Sequence, residues 1–407
     1  MILSISWRNV WRNKIRSLVV ILAVTVGMFG GTFTMGLMEG VIKSKINDVI
    51  KYETAHIQMH DSAFMDNFEL IYCMNHVSDK IRQLESNPNI EAASTRFKIF
   101  TTLRTSHGIA GVSLISVDPE KEIKVTSLQD KIIEGDYFTN SKKRNPIIIS
   151  SKLAEKLNAK INSKIVVDFI SIDSVSTPDL FKVIGIYKTS NGMFDEMNAF
   201  IQNSDMRKIV GFSDDQAHEI AIRVSNNDVV DQVKAELQNQ YPDLDIKTWL
   251  NIAPDAAMLV EMGDFMLYLI MFIILMALSF GIINTMMMAV MERRKELGML
   301  MAVGMSKRRV FTMIMLETIF LSIVGAVIGI LIAAGVVHYY GQAGIDFSQY
   351  AEGFEQVGYA AIVYPELNIG SYLIVFVMVI AVAILACIYP ARKALRLKPV
   401  EALKTDN

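Results

Sequence analysis

Four stretches of the chain lack any charged residue over a length that crosses a bilayer, which takes roughly 20 residues. They are Ser17–Met38, Phe265–Met291, Thr318–Ile345 and Leu367–Ala391. The hydrophobic fraction is 52%, above the roughly 45–50% of soluble proteins, and the excess sits in these four blocks. Between the first two, the chain reads as an ordinary soluble domain. The first run is too long for a cleavable signal peptide, and no small-residue cleavage site follows it. The last three exceed the minimum span, which predicts tilt or extension beyond the bilayer.

Lysine and arginine near the span ends set the orientation. Arg8, Arg12, Lys14 and Arg16 precede the first run, and Arg392, Lys393, Arg396 and Lys398 follow the fourth. Arg293, Arg294, Lys295, Lys307, Arg308 and Arg309 crowd the loop between the second and third, whereas Gly341–Glu366 has neither residue. Both termini and the second loop are therefore expected in the cytoplasm and the large domain outside it. The divisions read from the sequence are an amphipathic elbow at 1–16 and a first span at 17–38. An extracytoplasmic domain follows at 39–264, then a second span at 265–291 and a cytoplasmic loop at 292–309. A third span at 310–340, an outer loop at 341–366, a fourth span at 367–391 and a tail at 392–407 complete the chain. The net charge of -2 gives no reason to expect nucleic acid. Cys73 and Cys387 fall in different regions, so neither a disulfide framework nor a thiol metal cluster is expected.

The spans carry little polar chemistry. Asn284 and Thr285 form the most polar pair, and Asn284 is expected to bond a neighbouring helix. Glu317 reads as a boundary residue facing headgroups or closing a first helical turn. The scarcity of charge argues against an ion-coupled path. Gly27 and Gly31, and again Gly325, Gly329 and Ala333, recur four apart and form small faces for close helix packing, within one subunit or between two. Met266, Met271 and Met276 in the second span read as lipid-facing or packing residues. Their flexible thioethers also suit acyl chains.

Two cytoplasmic segments are more specific. Trp7 and Trp11 share one helix face with Arg8 and Arg12 offset by one position, the pattern of an interfacial helix. The loop ERRKELGMLMAVGMSKRRV, Glu292 to Val310, opens with Glu292, Arg293, Arg294 and Glu296, then places Leu297, Leu300, Met301 and Val303 at helical spacing. Gly304 can end that helix in the left-handed region, and Ser306 can cap the next. A short helix clamped between two spans suits a docking surface.

This loop and YPARKALRLKPVEALK at Tyr389–Lys404 resemble the permease signature shared by the MacB, LolC/LolE and FtsX group of ABC transporters. WRNVWRNKIRSL is similar to that group's N-terminal elbow, and EGDYF at Glu134–Phe138 with IIISSKLAEKLNAKINSKI at Ile147–Ile165 to its extracytoplasmic domain. Met301 departs from the basic residue that many relatives carry. The resemblance implies that Glu292, Arg293, Arg294, Glu296, Leu297, Leu300 and Met301 form the coupling helix that sits in a groove of a separate ATPase. That ATPase dimer, of LolD or MacB type, would bind ATP and Mg; this chain would hold no cofactor. It implies a bacterial inner-membrane location, a periplasmic domain and a second permease, identical or related. Lipids and a periplasmic or outer-membrane component complete the implied partners.

The fold expected is therefore a four-helix membrane protein with an α/β extracytoplasmic domain. In that domain Ala55–His60, Ile90–Thr102, Glu219–Val224 and Asp245–Trp249 read as strands, and Val77–Glu85 and Val229–Gln240 as helices. They form two β-α-β halves around a strand-rich insertion at about 99–198, which the resemblance casts as a porter-like core with an inserted, mostly β subdomain. His56 and His60 share a strand face, read as exposed and polar rather than as a metal site, since no third ligand is suggested. No nucleophile elbow is present, and no Gly-Lys dipeptide occurs, hence no phosphate-binding loop for ATP. The leading expectation is a permease for lipoprotein or other amphiphilic cargo. The alternatives are MacB-like efflux of peptides or toxins from the periplasm and an FtsX-like scaffold for a cell-wall hydrolase. The resemblance to lipoprotein-releasing permeases, one of which has a long protruding loop that recruits a periplasmic carrier, implies that the comparable hairpin between Ile165 and Ile186, with its short tip around Asp173–Pro178, does not recruit a carrier or leaves that to a partner permease.

Overall fold

A computed structural model describes residues 2–12, 14–140, 144–170, 176–350, 353–354 and 358–395. The chain divides into two compact units. One comprises 1–42, 261–346 and 362–407; the other comprises 43–260 and 347–361.

The first unit is helical. An elbow helix, Ile2–Arg12, precedes four long apolar helices: Lys14–Asp48, Pro254–Glu292, Lys307–Ala343 and Ile369–Ala394. All four are long and apolar enough to cross a membrane. Each extends beyond its uncharged run at one end or both, because helix propensity does not stop at the edge of hydrophobicity. The first runs on to Asp48 and ends in a π-helical turn at Val49–Thr54.

Small residues decide how these helices meet. A Cβ on Gly325 would stand 2.7 Å from the Ile21 carbonyl oxygen, and one on Gly329 would stand 2.7 Å from Met28 Cβ. The third span therefore approaches the first almost backbone to backbone, and Thr25 Oγ1 donates to the Gly325 carbonyl at 3.0 Å. Gly27 and Gly31 face Leu278 and Met271 of the second span. All four glycines thus serve packing inside one chain. Met271 is buried at that contact, whereas Met266 and Met276 lie on the outer surface. Met271 is thereby removed from the acyl-chain set. Asn284 is also corrected: it is exposed, and among the described residues no hydrogen bond joins it to a neighbouring helix, while Thr285 donates to the Gly281 carbonyl of its own helix.

The second unit is built on a ten-stranded sheet. Its strands are β1 (Ile57–Asp61), β2 (Ile90–Arg104), β3 (Ile109–Val117), β4 (Ile132–Gly135) and β5 (Pro146–Ser150). They continue with β6 (Lys164–Ile170), β7 (Ser176–Tyr187), β8 (Asn198–Gln202), β9 (Glu219–Val224) and β10 (Leu244–Thr248). One end is antiparallel in the order β10-β1-β9-β2. Helices Val77–Glu85 and Val230–Gln240 place Ile81, Leu84, Val233 and Leu237 in one core with Ile57, Met59, Ile220 and Ile222. Those are the two β-α-β halves of the sequence. The 15-residue β2 then carries the sheet onward. Its first half pairs with β9 and its second half with β3, and Leu103 and Arg104 return to β6. Pairing through β3, β8, β5, β7 and β6 closes a ring of six strands. The strand-rich middle of the domain is therefore continuous with the sheet of its two ends. Gly135 turns at φ 83°, where a Cβ would lie 2.2 Å from the Ile184 carbonyl oxygen, so only glycine fits between β4 and β7. The hairpin tip at 171–175 lies outside the described residues.

Candidate functional site

The segment between the second and third spans owes its shape to two local breaks. The second-span helix stops at Glu292, and Arg293 leaves helical geometry at φ -93°, ψ 14°. A nine-residue helix, Arg294–Ala302, follows. Gly304, at φ 105°, then reverses the chain. The Met305 N–H donates to the Leu300 carbonyl at 3.0 Å and the Gly304 N–H to the Met301 carbonyl at 3.2 Å, the paired bonds of a Schellman stop. Ser306 occupies the cap of the third span in extended geometry, but its side chain makes no capping bond. The expected serine cap is thus a backbone cap only. Glu292, expected inside the short helix, belongs to the second span.

A chain of ion pairs fixes this short helix. Arg293 Nη1 donates to both Glu317 oxygens, at 3.0 and 2.9 Å, and its Nε donates to Glu296 Oε2 at 3.1 Å. Arg12 of the elbow donates to the other Glu296 oxygen. Exposure separates the strong link from the weak one. The Arg293 and Glu317 side chains are 13% and 7% exposed, those of Glu296 and Arg12 43% and 60%. An exposed pair is worth about 0–1 kcal/mol, whereas removing one partner of a buried pair costs about 3–5 kcal/mol. Glu317 therefore holds the short helix to the third span. Its expected place facing headgroups is corrected, since it is buried in the bundle and paired.

The faces of the short helix are also the reverse of those expected for docking. Leu297 is buried in the core of the bundle, and Leu300 and Met301 are half-buried against it. Arg293 and Glu296 spend their charge within the chain, and Arg294 is half-buried. The apolar stripe turns inward because the bundle supplies apolar surface one turn away. What it presents outward is Lys295, Met299, Ala302 and Val303, with Met299 and Val303 at 55% and 85% exposure. The elbow lies against the third span: Trp7 meets Phe320 edge-on at 5.4 Å, and Ser6 Oγ donates to the Met313 carbonyl at 3.3 Å. Trp7, Arg8, Trp11 and Arg12 are all on the outer side.

In the domain a second buried charge cluster had no sequence signal. Arg96 of β2 donates to Glu122 at 2.6 and 3.2 Å and to Glu219 of β9 at 2.8 Å. His60 of β1 lies 3.4 Å from the second Glu219 oxygen, and Thr126 Oγ1 donates to Glu122 at 2.7 Å. The face of β1 read as exposed is therefore buried: His60 is fully enclosed, and His56 accepts from the Val224 N–H at 3.4 Å. Burial works to raise the Glu219 carboxyl, but Arg96 and His60 outweigh it and hold it down at about 2. His56 is pushed down to about 4, first by burial and then by Arg223. The described residues contain no group of three metal-ligating side chains.

Four helices long and apolar enough to cross a membrane, a short helix held between the second and third of them, and an α/β unit make up the architecture of a membrane protein. Residues 17–240 match the MacB-like periplasmic core domain and residues 268–399 the FtsX-like permease C-terminal family. The chain belongs to the FtsX-like permeases that carry a MacB-like periplasmic core domain, and it is a permease subunit of the ABC transporter class. It is similar to the lipoprotein-releasing system transmembrane protein LolC of Neisseria meningitidis, 21% identical over 96% of this chain and 94% of that protein. It is similar also to the pyoverdine export ATP-binding/permease protein PvdT of Pseudomonas syringae pv. syringae, at 24% identity over 98% of this chain. The match spans 59% of the length of that relative. The solved periplasmic region of MacB from Actinobacillus actinomycetemcomitans aligns with 51% of this chain and 95% of its own, at 14% identity and a TM-score of 0.36.

Proposed function

We propose that the chain works in pairs with an ATP-hydrolysing dimer, and that the short helix Arg294–Ala302 carries the motion of that dimer into the spans. The observation behind this reading is the buried Arg293–Glu317 pair. Arg293, the one residue that joins this helix to the second span, is ion-paired to the third, so motion at the start of the helix is passed to both spans. The second-span helix runs unbroken from Glu292 to Pro254, so displacement at its cytoplasmic end is transmitted along a rigid element. Contact with the ATPase is assigned to the outward residues Lys295, Met299, Ala302 and Val303. The side chains turned inward hold the lever.

Pairing of permeases is supported by Asn284. A polar amide turned toward lipid is costly in hydrocarbon, and a second permease on that face of the second span would cover it. The cargo we favour is lipoprotein or another amphiphile taken from the inner membrane. The outward, flexible Met266 and Met276 favour acyl chains over a watery path. Relatives that release lipoproteins and relatives that export pyoverdine are about equally similar, so export of a soluble compound from the periplasm is the second reading. Photo-crosslinkers at Met299, Val303 and Leu297 test the docking face in native membranes. Capture of an ATP-binding protein from Met299 and Val303, but not from Leu297, is expected. Capture from Leu297 alone would reverse the assignment.

A further inference from the structure

The sheet face opposite the main core of the second unit encloses a cavity of about 430 Å³, within the roughly 300–1,000 Å³ of small-molecule sites. Strand alternation explains its lining. Phe97 and Ile99 of β2 point into the core, so Lys98 and Phe100 point the other way. Register brings Ile115 and Ser113 of β3 opposite them. The floor is polar and incompletely satisfied. Ser113 is 4% exposed, and its buried Oγ has no hydrogen-bond partner. The neighbouring Glu219 is bonded by Arg96 and approached by His60, while the Lys98 ammonium rests 5.7 Å from the centre of the Phe68 ring. Among the described lining residues the other lysine is Lys45, which is 4% exposed and acts electrostatically on Glu53, whose carboxylate also takes the Asn191 amide at 3.0 Å. Lys98 also feels the Glu219 carboxylate electrostatically, but no hydrogen bond joins the two among the described residues, so its ammonium and the Ser113 hydroxyl are the lining donors open to a guest. The mouth is apolar and open: Phe100, Met193 and Met197 line it at 55%, 56% and 53% exposure. Large apolar side chains around a polar pit match a molecule with an apolar body and one acceptor head, and methionine lets the rim adapt to its shape.

We infer that this cavity binds a small single-chain amphiphile with an anionic oxygen headgroup, the head bonded by Lys98 and Ser113 and the chain lying among Phe100, Met193 and Met197. The site lies wholly within the second unit and stands independently of the coupling helix. Its failure would leave the transport reading intact, and loss of transport would leave the site intact.

The test uses the full chain in lipid nanodiscs without nucleotide and a diazirine-bearing decanoate as photoprobe, with peptide mapping of the adducts. Labelling of peptides containing Phe100 and Met193–Met197, competed by decanoate or by decyl phosphate, is expected; which competitor is stronger identifies the head as carboxylate or phosphate. Ser113→Ala and Lys98→Met should each weaken labelling there about tenfold or more, the loss expected for a hydrogen bond to a charged head. The uncharged methyl ester of the probe should label these peptides as weakly, a comparison that does not depend on any variant folding. Adducts confined to the apolar spans, equal labelling by acid and ester, or insensitivity to both competitors would each overturn the inference.

Discussion

Replacing Glu317 by alanine is the perturbation whose size the structure sets most directly. Arg293 makes two charge-assisted bonds to Glu317 and one to Glu296, with only 13% of its side chain exposed. Without Glu317 the guanidinium stays largely buried and keeps one half-exposed partner. The expected cost is about 3–5 kcal/mol, the range for a buried pair broken on one side. Removing both ends, in Arg293→Met with Glu317→Leu, leaves no orphan charge and should recover most of that loss, because buried pairs replaced by apolar groups are often neutral. Breaking the outer link with Arg12→Ala should cost less than about 1 kcal/mol. Denaturant titration of the detergent-solubilised chain, followed by Trp7 against Phe320, reads unfolding at this end of the bundle. A Glu317→Ala loss below about 1 kcal/mol, or a double variant no better than the single, would show that the pair does not clamp the short helix.

Other consequences follow from packing, charge and assembly. Gly325→Ala should destabilise the bundle by about 1–3 kcal/mol through overpacking, since its Cβ would strike the Ile21 carbonyl, whereas Gly335→Ala meets nothing within 4 Å and should be neutral; thermal unfolding of the two compares them. The domain should lose stability on acidification, because His56 and Glu219 are both held below their ordinary values and so bind more protons unfolded than folded. The His56 contribution fades from pH 6.5 to about 4 and that of Glu219 from 4.5 to about 2. Hydrogen exchange of Ile90–Arg96 against pH should show both limbs, with the lower one absent in Glu219→Gln. A cysteine at Asn284, with Cys73 and Cys387 replaced by serine, should form disulfide-linked dimers in membranes; a wholly monomeric product would remove the second span from the permease seam. Cysteines at Glu120 and Gln349 should react with an impermeant thiol reagent in spheroplasts and one at Ser306 should not, and the opposite pattern would invert the topology.

How much of this was legible in the sequence differs by the range of the interaction. Hydrophobic run length gave the four spans, and alternation gave elements such as the helix Val77–Glu85 and the strand Glu219–Val224 with their observed bounds. Both depend on neighbours a few residues away. The glycines Gly325 and Gly329 announced close packing, but not that the first span of the same chain was the partner. The charge clusters were invisible because their members are far apart in sequence. Glu122 and Glu219 lie 26 and 123 residues from Arg96, and Glu317 lies 24 from Arg293. Without those partners His60 and Glu317 read as exposed. The short helix shows the same limit: its apolar stripe at Leu297, Leu300 and Met301 was evident, but amphipathicity alone cannot say whether such a stripe meets another protein or its own bundle. A test at Leu300 would therefore disturb the permease itself, and the informative positions are on the opposite face.

That face is the one proposed to meet the ATPase. Met299→Asp with Val303→Asp adds two charges at outward positions, so the chain should insert and fold as the parent does. Measured together in proteoliposomes containing the permease and its co-purified ATPase, ATP hydrolysis and cargo movement decide the matter. The double variant is expected to lose the ATPase, or to hydrolyse ATP while cargo movement falls to background. Parental rates of both, with the ATPase still bound, would contradict this expectation.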